Sequence, residues 1–183
     1  MMENKQTPPV IVKSRDLVYK GSILNVYQDT VLVNGHEAKW DYIHHNGAAA
    51  VLPVTADGKI LMVRQYRHAL ERYTLEIPAG KLDYVGEPMI DCAARELEEE
   101  TGYRCDHLEY LLTVNTTIAF CNEKIDIFLA KDLVPSKQNL DEDEEINVEA
   151  WALEDLEELI RCGKITDGKT VAAISVYARK YCK

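Results

Sequence analysis

The run AAAVLPVT at residues 48–55 constrains the fold of this chain more than any other stretch. It is short and almost wholly apolar, the pattern of a strand buried on both faces. Asp57-Gly58 separates it from KILMVRQYR and predicts a tight hairpin turn, because both turn positions favour φ > 0. Asn34-Gly35 makes the same prediction for NVYQDTVLV and EAKWDYI. YTLEIPAG reads as a strand ended by Pro78 and Gly80, LEYLLTVNTT and KIDIFLAKDL as two more, and NVEAWAL as a last one. A helix is expected between Pro88, which suits a first helical turn, and Gly102, which suits a C-terminal stop. Ile90, Ala93, Ala94 and Leu97 would form its apolar stripe. Two further helices close the chain, over LEDLEELIRC and GKTVAAISVYARKY. Strands, one central helix, more strands and then helices predict a mixed α/β sheet protein, not a doubly wound one.

A length of 183 residues fits one domain, with residues 1–9 as a loose, polar arm. The net charge of −10 excludes a non-specific nucleic-acid binder, which needs a basic face. Anionic substrates would require bound cations. The five cysteines are scattered without C-x-x-C spacing, which fits reduced thiols better than disulfides or zinc. No run resembles a signal peptide or reaches the ~18 apolar residues of a membrane span, so a soluble, intracellular protein is expected.

The chemistry concentrates in PAGKLDYVGEPMIDCAARELEEETGY, residues 78–103. On a helix, Glu96, Glu99 and Glu100 stand three and four residues apart and share one side, while Glu98 points elsewhere. Runs such as ELEEE are common on solvated helix faces. Here a glycine turn, an isolated Glu87, Arg95 and a terminal glycine keep definite spacings to the carboxylates. A hard divalent cation would turn the repulsion of three like charges into attraction, and Arg95 can hold Glu99 in one rotamer.

These residues resemble the Nudix box, the metal-binding loop–helix–loop of Nudix hydrolases. From Glu87 through Arg95, Glu96, Leu97, Glu99, Glu100 and Gly102 to Tyr103 the match is complete. Before Glu87 it departs, with six residues after Gly80 where the pattern has five. The extra residue falls in a loop, leaving the helix register intact and affecting only the path around residues 83–86.

AAAVLPVT, ILMVRQYRHALERYTLEIPAGKLD and LDEDEEINVEAWALEDL extend the resemblance to the bacterial ADP-ribose pyrophosphatase subfamily. It implies an α/β/α sandwich with a mixed β-sheet and N-terminal antiparallel strands. Residues 1–45 would form a dimerising segment and residues 46–183 the hydrolase domain of a cytoplasmic homodimer. The implied reaction is Mg²⁺-dependent hydrolysis of ADP-ribose or a related nucleoside diphosphate sugar, with Mn²⁺ as the alternative ion. Carried over by position, the metal ligands fall on the Ala79 carbonyl, Glu96, Glu99 and Glu100. The acidic loop supplies Glu142 or Glu144 as general base, with Glu145 close behind. Arg67 is the expected phosphate or ribose contact, with Arg64 ranked lower on the strand's alternation. Glu76 would bind substrate or support the ligands, and His44 and His45 read as structural. Ile118 stands where ADP-ribose hydrolases carry proline, near the distal ribose. That leaves open another X-diphosphate such as GDP-mannose, or a non-catalytic nucleotide sensor.

Overall fold

The computed structural model describes residues 9–21, 24–142 and 144–181. All but the last residue of the expected N-terminal arm, and Cys182, lie outside these. The chain divides into two units, residues 1–45 with 117–123, and residues 46–116 with 124–183.

The first unit is an antiparallel meander of β1 (Val10–Lys20), β2 (Asn25–Val33) and β3 (His36–His44). Asn34 and Gly35 take φ of 51° and 78°, and Val33 pairs with His36, so the expected two-residue turn closes β2 onto β3. The register places Arg15 opposite Asp29, whose buried carboxylate accepts two hydrogen bonds from the guanidinium at 2.7 and 2.6 Å. Arg15 also lies over the Tyr42 ring, 3.7 Å from its centroid. Residues 117–123 join this unit at the end of β3: Ile43 N–H donates to the Phe120 carbonyl at 2.7 Å, and Asn122 brackets the backbone of His45. Ile11, Leu17, Val18 and Tyr19 of β1 and Trp40 of β3 are exposed.

The second unit is built around the apolar run 48–53. It forms β4 (Ala48–Pro53), with every residue buried. The other strands are β5 (Ile60–Arg67), β6 (Arg72–Glu76), β7 (Ala79–Lys81), β8 (Tyr103–Arg104), β9 (Leu108–Asn115), β10 (Lys124–Ala130), β11 (Val134–Pro135) and β12 (Ile146–Trp151). The helices are α1 (Met89–Thr101), α2 (Leu153–Arg161) and α3 (Gly168–Tyr181). A mixed sheet runs β7-β4-β10-β9, with β4 and β10 parallel and the outer pairs antiparallel. Period-two alternation sends Ala49 and Val51 into one core with Cys92, Ala93 and Leu97 of α1. Ala48, Ala50 and Leu52 enter the opposite core with Leu156 of α2 and Ala173 and Ile174 of α3. This is an α/β/α arrangement. A second antiparallel sheet, β12-β5-β6, contributes Met62 and Leu75 to the α2–α3 side.

Three local expectations are corrected. Asp57-Gly58 does make a turn, with Gly58 at φ 81°, but β4 and β5 share only the bridge Val54–Ile60 before diverging into different sheets. A turn dipeptide fixes the local reversal and not the later pairing, even though Leu52 of β4 and Met62 of β5 enter the same core. In α1, Ile90 is exposed and Cys92 takes its place in the buried stripe. Pro88, with ψ of 132°, precedes the helix as its cap residue instead of lying inside the first turn. Among the described residues no helix is long and apolar enough to cross a membrane.

Candidate active site

Pro78 ends β6's path through one sheet and starts the chain into the other. Its carbonyl accepts a hydrogen bond from Val51 N–H at 2.9 Å, and β7 then pairs with β4. This crossing lays Ala79 and Gly80 against α1. Gly80 leaves room for the Glu96 carboxylate, because a β-carbon there would lie 2.0 Å from one of its oxygens. One residue earlier, Ala79 N–H donates to Glu100 Oε2 at 3.0 Å.

Arg95 ties the loop to the helix. Its guanidinium meets Glu96 at 2.7 Å, Glu99 at 3.0 Å, Asp83 at 3.1 Å and Glu87 at 3.5 Å, and donates to the Lys81 carbonyl at 3.1 Å. The buried Glu87 carboxylate accepts Asp83 N–H at 2.7 Å, closing the loop on itself. The supernumerary residue is accommodated at the tip of this loop, where Tyr84 and Val85 are exposed and Gly86 has φ of 92°.

The three clustered glutamates differ in environment. Glu96 and Glu100 are buried, and Glu99 is half-exposed. Burial pushes the Glu96 carboxyl up to about 7 even though Arg95 pulls the other way. Burial and the neighbouring charge of Glu96 push Glu100 up to about 8. Two desolvated carboxyls that resist ionisation form an oxygen-only donor set suited to a hard cation. Among the described residues, no three acidic, histidine or cysteine side chains converge as a complete metal cage. One or two carboxylates completed by a carbonyl, waters and substrate phosphate is the way Mg²⁺ is usually held, so the donors present fit it.

A polar cavity of about 470 Å³ opens over this surface, lined by Gln65, Arg67, Ala79, Gly80, Arg95, Glu96, Glu99, Asn139, Asp141 and Glu144 among others. The acidic loop reaches it because the preceding residues cap the C-terminus of α1. Gly102, at φ 71°, ends the helix, and Ser136 N–H, Asn139 N–H and the Gln138 side chain donate to the carbonyls of Gly102, Glu99 and Glu100.

The expected site residues therefore separate into groups. Arg67, Ala79, Glu96, Glu99 and Glu144 line one cavity, and Glu100 lies behind it against Ala79. Glu142 is exposed and does not line the cavity. Ile118 lies in the other unit, on an exposed turn. Glu76 lines a neighbouring cavity, and its oxygens are taken by Arg67, Lys169 and Thr74. Arg64, on the opposite strand face, pairs with Glu149 at 2.5 Å. His44 approaches the Tyr42 hydroxyl at 3.3 Å. Gln65, Asn139, Asp141 and Lys169 were not singled out from sequence. Two of them carry a sequence signal: Gln65 shares Arg67's parity on β5, and Asp141 opens the acidic run 141–145.

The NUDIX domain family model matches residues 44–174. The chain is 42% identical over 164 residues to the ADP-ribose pyrophosphatase of Bacillus subtilis, covering 88% of each chain. It is 40% identical over 161 residues to the methanol dehydrogenase activator of Bacillus methanolicus, covering 86% of each. The crystal structure of an ADP compounds hydrolase shares the fold, with a TM-score of 0.85 over 96% of this chain and 95% of that one at 22% identity.

Proposed function

The chain belongs to the NUDIX domain family, and from that premise we propose that it hydrolyses the diphosphate bond of ADP-ribose or a related nucleoside diphosphate sugar. The observation that carries this reading is the pair of buried carboxylates, Glu96 lining and Glu100 behind a cavity that also presents Arg67 and Glu144. The similarity to an ADP-ribose pyrophosphatase over most of both chains supports the substrate class.

In this proposal the Ala79 carbonyl, Glu96, Glu99 and Glu100 hold Mg²⁺, or Mn²⁺ in its place. A bound divalent cation neutralises phosphate oxygens, makes water a better nucleophile and steadies the leaving phosphate. Arg67 grips a phosphate oxygen with the N–H groups that Glu76 does not use. Glu144, at the cavity wall, accepts the proton of the attacking water as its oxygen bonds to phosphorus and the bridging P–O bond breaks. Gly80 and Arg95 hold Glu96 and Glu99 in place. The products are a nucleoside monophosphate and a sugar phosphate.

The exposed apolar side chains of β1 and β3 support a homodimer through the N-terminal strands, and the free thiols among the described cysteines suit the cytoplasm. Ile118 favours one second reading, a preference for another X-diphosphate such as GDP-mannose. The test is a panel of ADP-ribose, nucleotide sugars and dinucleotides with Mg²⁺, followed by mass spectrometry of products in ¹⁸O-water. AMP with ribose 5-phosphate is the expected result, and the label identifies the phosphorus attacked. Ligand binding without any product would replace the hydrolase by a nucleotide sensor.

A further inference from the structure

Arg67 lines two cavities, the catalytic one and a neighbour of about 410 Å³. Its Nε and Nη2 both donate to Glu76 at 2.8 Å, leaving three of the five guanidinium N–H groups for other partners. Glu76 also accepts Thr74 Oγ1 at 2.6 Å and Lys169 Nζ at 2.5 Å. An ionised carboxylate offers about four acceptor positions, so Glu76 is saturated and has none left for a substrate hydroxyl. It is only 3% exposed, and the Lys169 side chain only 10%. Burial alone would push its carboxyl up, but Arg67 and Lys169 outweigh burial and hold it down at about 2.

Lys169 comes from the first turn of α3, 93 residues further along the chain. Asp167 steadies its ammonium group at 3.0 Å and also accepts Thr170 N–H at 3.1 Å and Thr170 Oγ1 at 2.5 Å. Thr170 Oγ1 in turn accepts Ile77 N–H at 2.9 Å. The docking of α3 on the 76–79 segment thus has a second fastening that does not involve Lys169. What Lys169 alone supplies is a second cation on Glu76. Without it, the whole buried negative charge of Glu76 falls on Arg67.

We propose that Lys169 is a positioning residue for diphosphate binding: by sharing Glu76, it fixes the Arg67 guanidinium and leaves part of its charge available to a substrate phosphate in the catalytic cavity. The proposal rests on the reading of that cavity as a diphosphate site, and it assigns Glu76 a supporting role instead of a substrate contact.

The test compares wild type, Lys169→Met, Lys169→Arg, Arg67→Ala and the Arg67→Ala/Lys169→Met double variant. Calorimetry with the methylene-bridged analogue of ADP-ribose, which lacks the cleavable oxygen, reads binding independently of turnover, and steady-state assays read KM and kcat. Lys169→Met is expected to weaken analogue binding and raise KM at least tenfold while changing kcat less than threefold. Lys169→Arg should recover most of the affinity. In the Arg67→Ala background the Lys169 substitution should have no further effect, because there is no guanidinium left to position. The rise in melting temperature on adding Mg²⁺ should be unchanged in Lys169→Met. Wild-type affinity in Lys169→Met, or an equal loss with and without Arg67, would overturn the proposal. Analogue binding that depends on Lys169 in a protein without turnover would instead refute the hydrolase reading and leave the positioning role standing.

Discussion

Replacing Glu100 by glutamine separates the cost of the buried carboxylates from their use. In the cation-free protein Glu100 is pushed up to about 8 by burial and by Glu96, against an ordinary value of 4.5. An acid whose folded-state value is raised contributes stability that is complete below its ordinary value and lost as pH rises through the folded one. At about 1.4 kcal/mol per pH unit, the folded protein gives up about 3 kcal/mol between pH 4.5 and pH 7 through this group alone. Glu100→Gln removes the titrating group and keeps an oxygen to accept Ala79 N–H. Glu96, at about 7, still titrates, so the variant's pH dependence is shallower but not flat. In chelator at pH 7 the variant should melt roughly 6–12 °C above wild type, since each kcal/mol is worth about 2–4 °C at this size. At pH 5 the two should coincide within about 3 °C on the same scale. With Mg²⁺ the order should reverse: wild type gains melting temperature, more at pH 8 than at pH 5, and the variant gains little and loses turnover. Differential scanning fluorimetry across pH 5–8.5, with chelator and with Mg²⁺, reads all of this. Parallel pH curves for the two proteins in chelator would refute the electrostatic reasoning. An equal response to Mg²⁺ would remove Glu100 from the ligand set.

Four further substitutions test the other expected residues. Gly80→Ala places a β-carbon 2.0 Å from a Glu96 oxygen; because the tip of a flexible side chain can swing away, stability should change by less than about 1 kcal/mol in a denaturant titration, while Mg²⁺-dependent turnover falls at least about 100-fold. Glu144→Gln should lower kcat by about 10²–10⁴ with KM nearly constant, whereas Glu142→Gln stays within a few-fold of wild type, as steady-state kinetics on the preferred substrate would show. Ile118→Pro should raise kcat/KM for ADP-ribose relative to GDP-mannose in a competition assay, and an unchanged ratio would detach that loop from substrate choice.

The parts of the fold visible in sequence are those set by local periodicity and turn chemistry. The apolar run 48–53 had to be covered on both faces, and Asn34-Gly35 had to reverse the chain. The spacing of Glu96, Glu99 and Glu100 survives because a helix fixes it regardless of what surrounds it. Long-range pairing was not visible. Nothing near Asp57-Gly58 announces that β4 and β5 will separate, and nothing near Ile118 announces that residues 117–123 will hydrogen-bond to the end of β3. The sequence leaves Glu76 open between a substrate contact and a supporting role because its saturation depends on Lys169, far along the chain.

The same distinction explains why an acidic helix can be a solvated face in one protein and a cation site in another. Arg95 stands four residues before Glu99, as spacing alone requires, yet its guanidinium also holds Glu96, Glu87 and Asp83. Glu96, held by that clamp in the space Gly80 leaves, and Glu100, held by Ala79 N–H, are buried, while Glu98 on the same helix instead meets the Ser136 hydroxyl in an exposed hydrogen bond. Carboxylates left in water interact with a divalent ion across a high dielectric and gain little from it. Desolvated ones are unstable as charges until a cation arrives, so burial both raises their proton affinity and supplies the drive for metal binding. The sequence spaces these carboxylates along the helix, but their burial against β7 is what fits the cluster to the cation proposed for it.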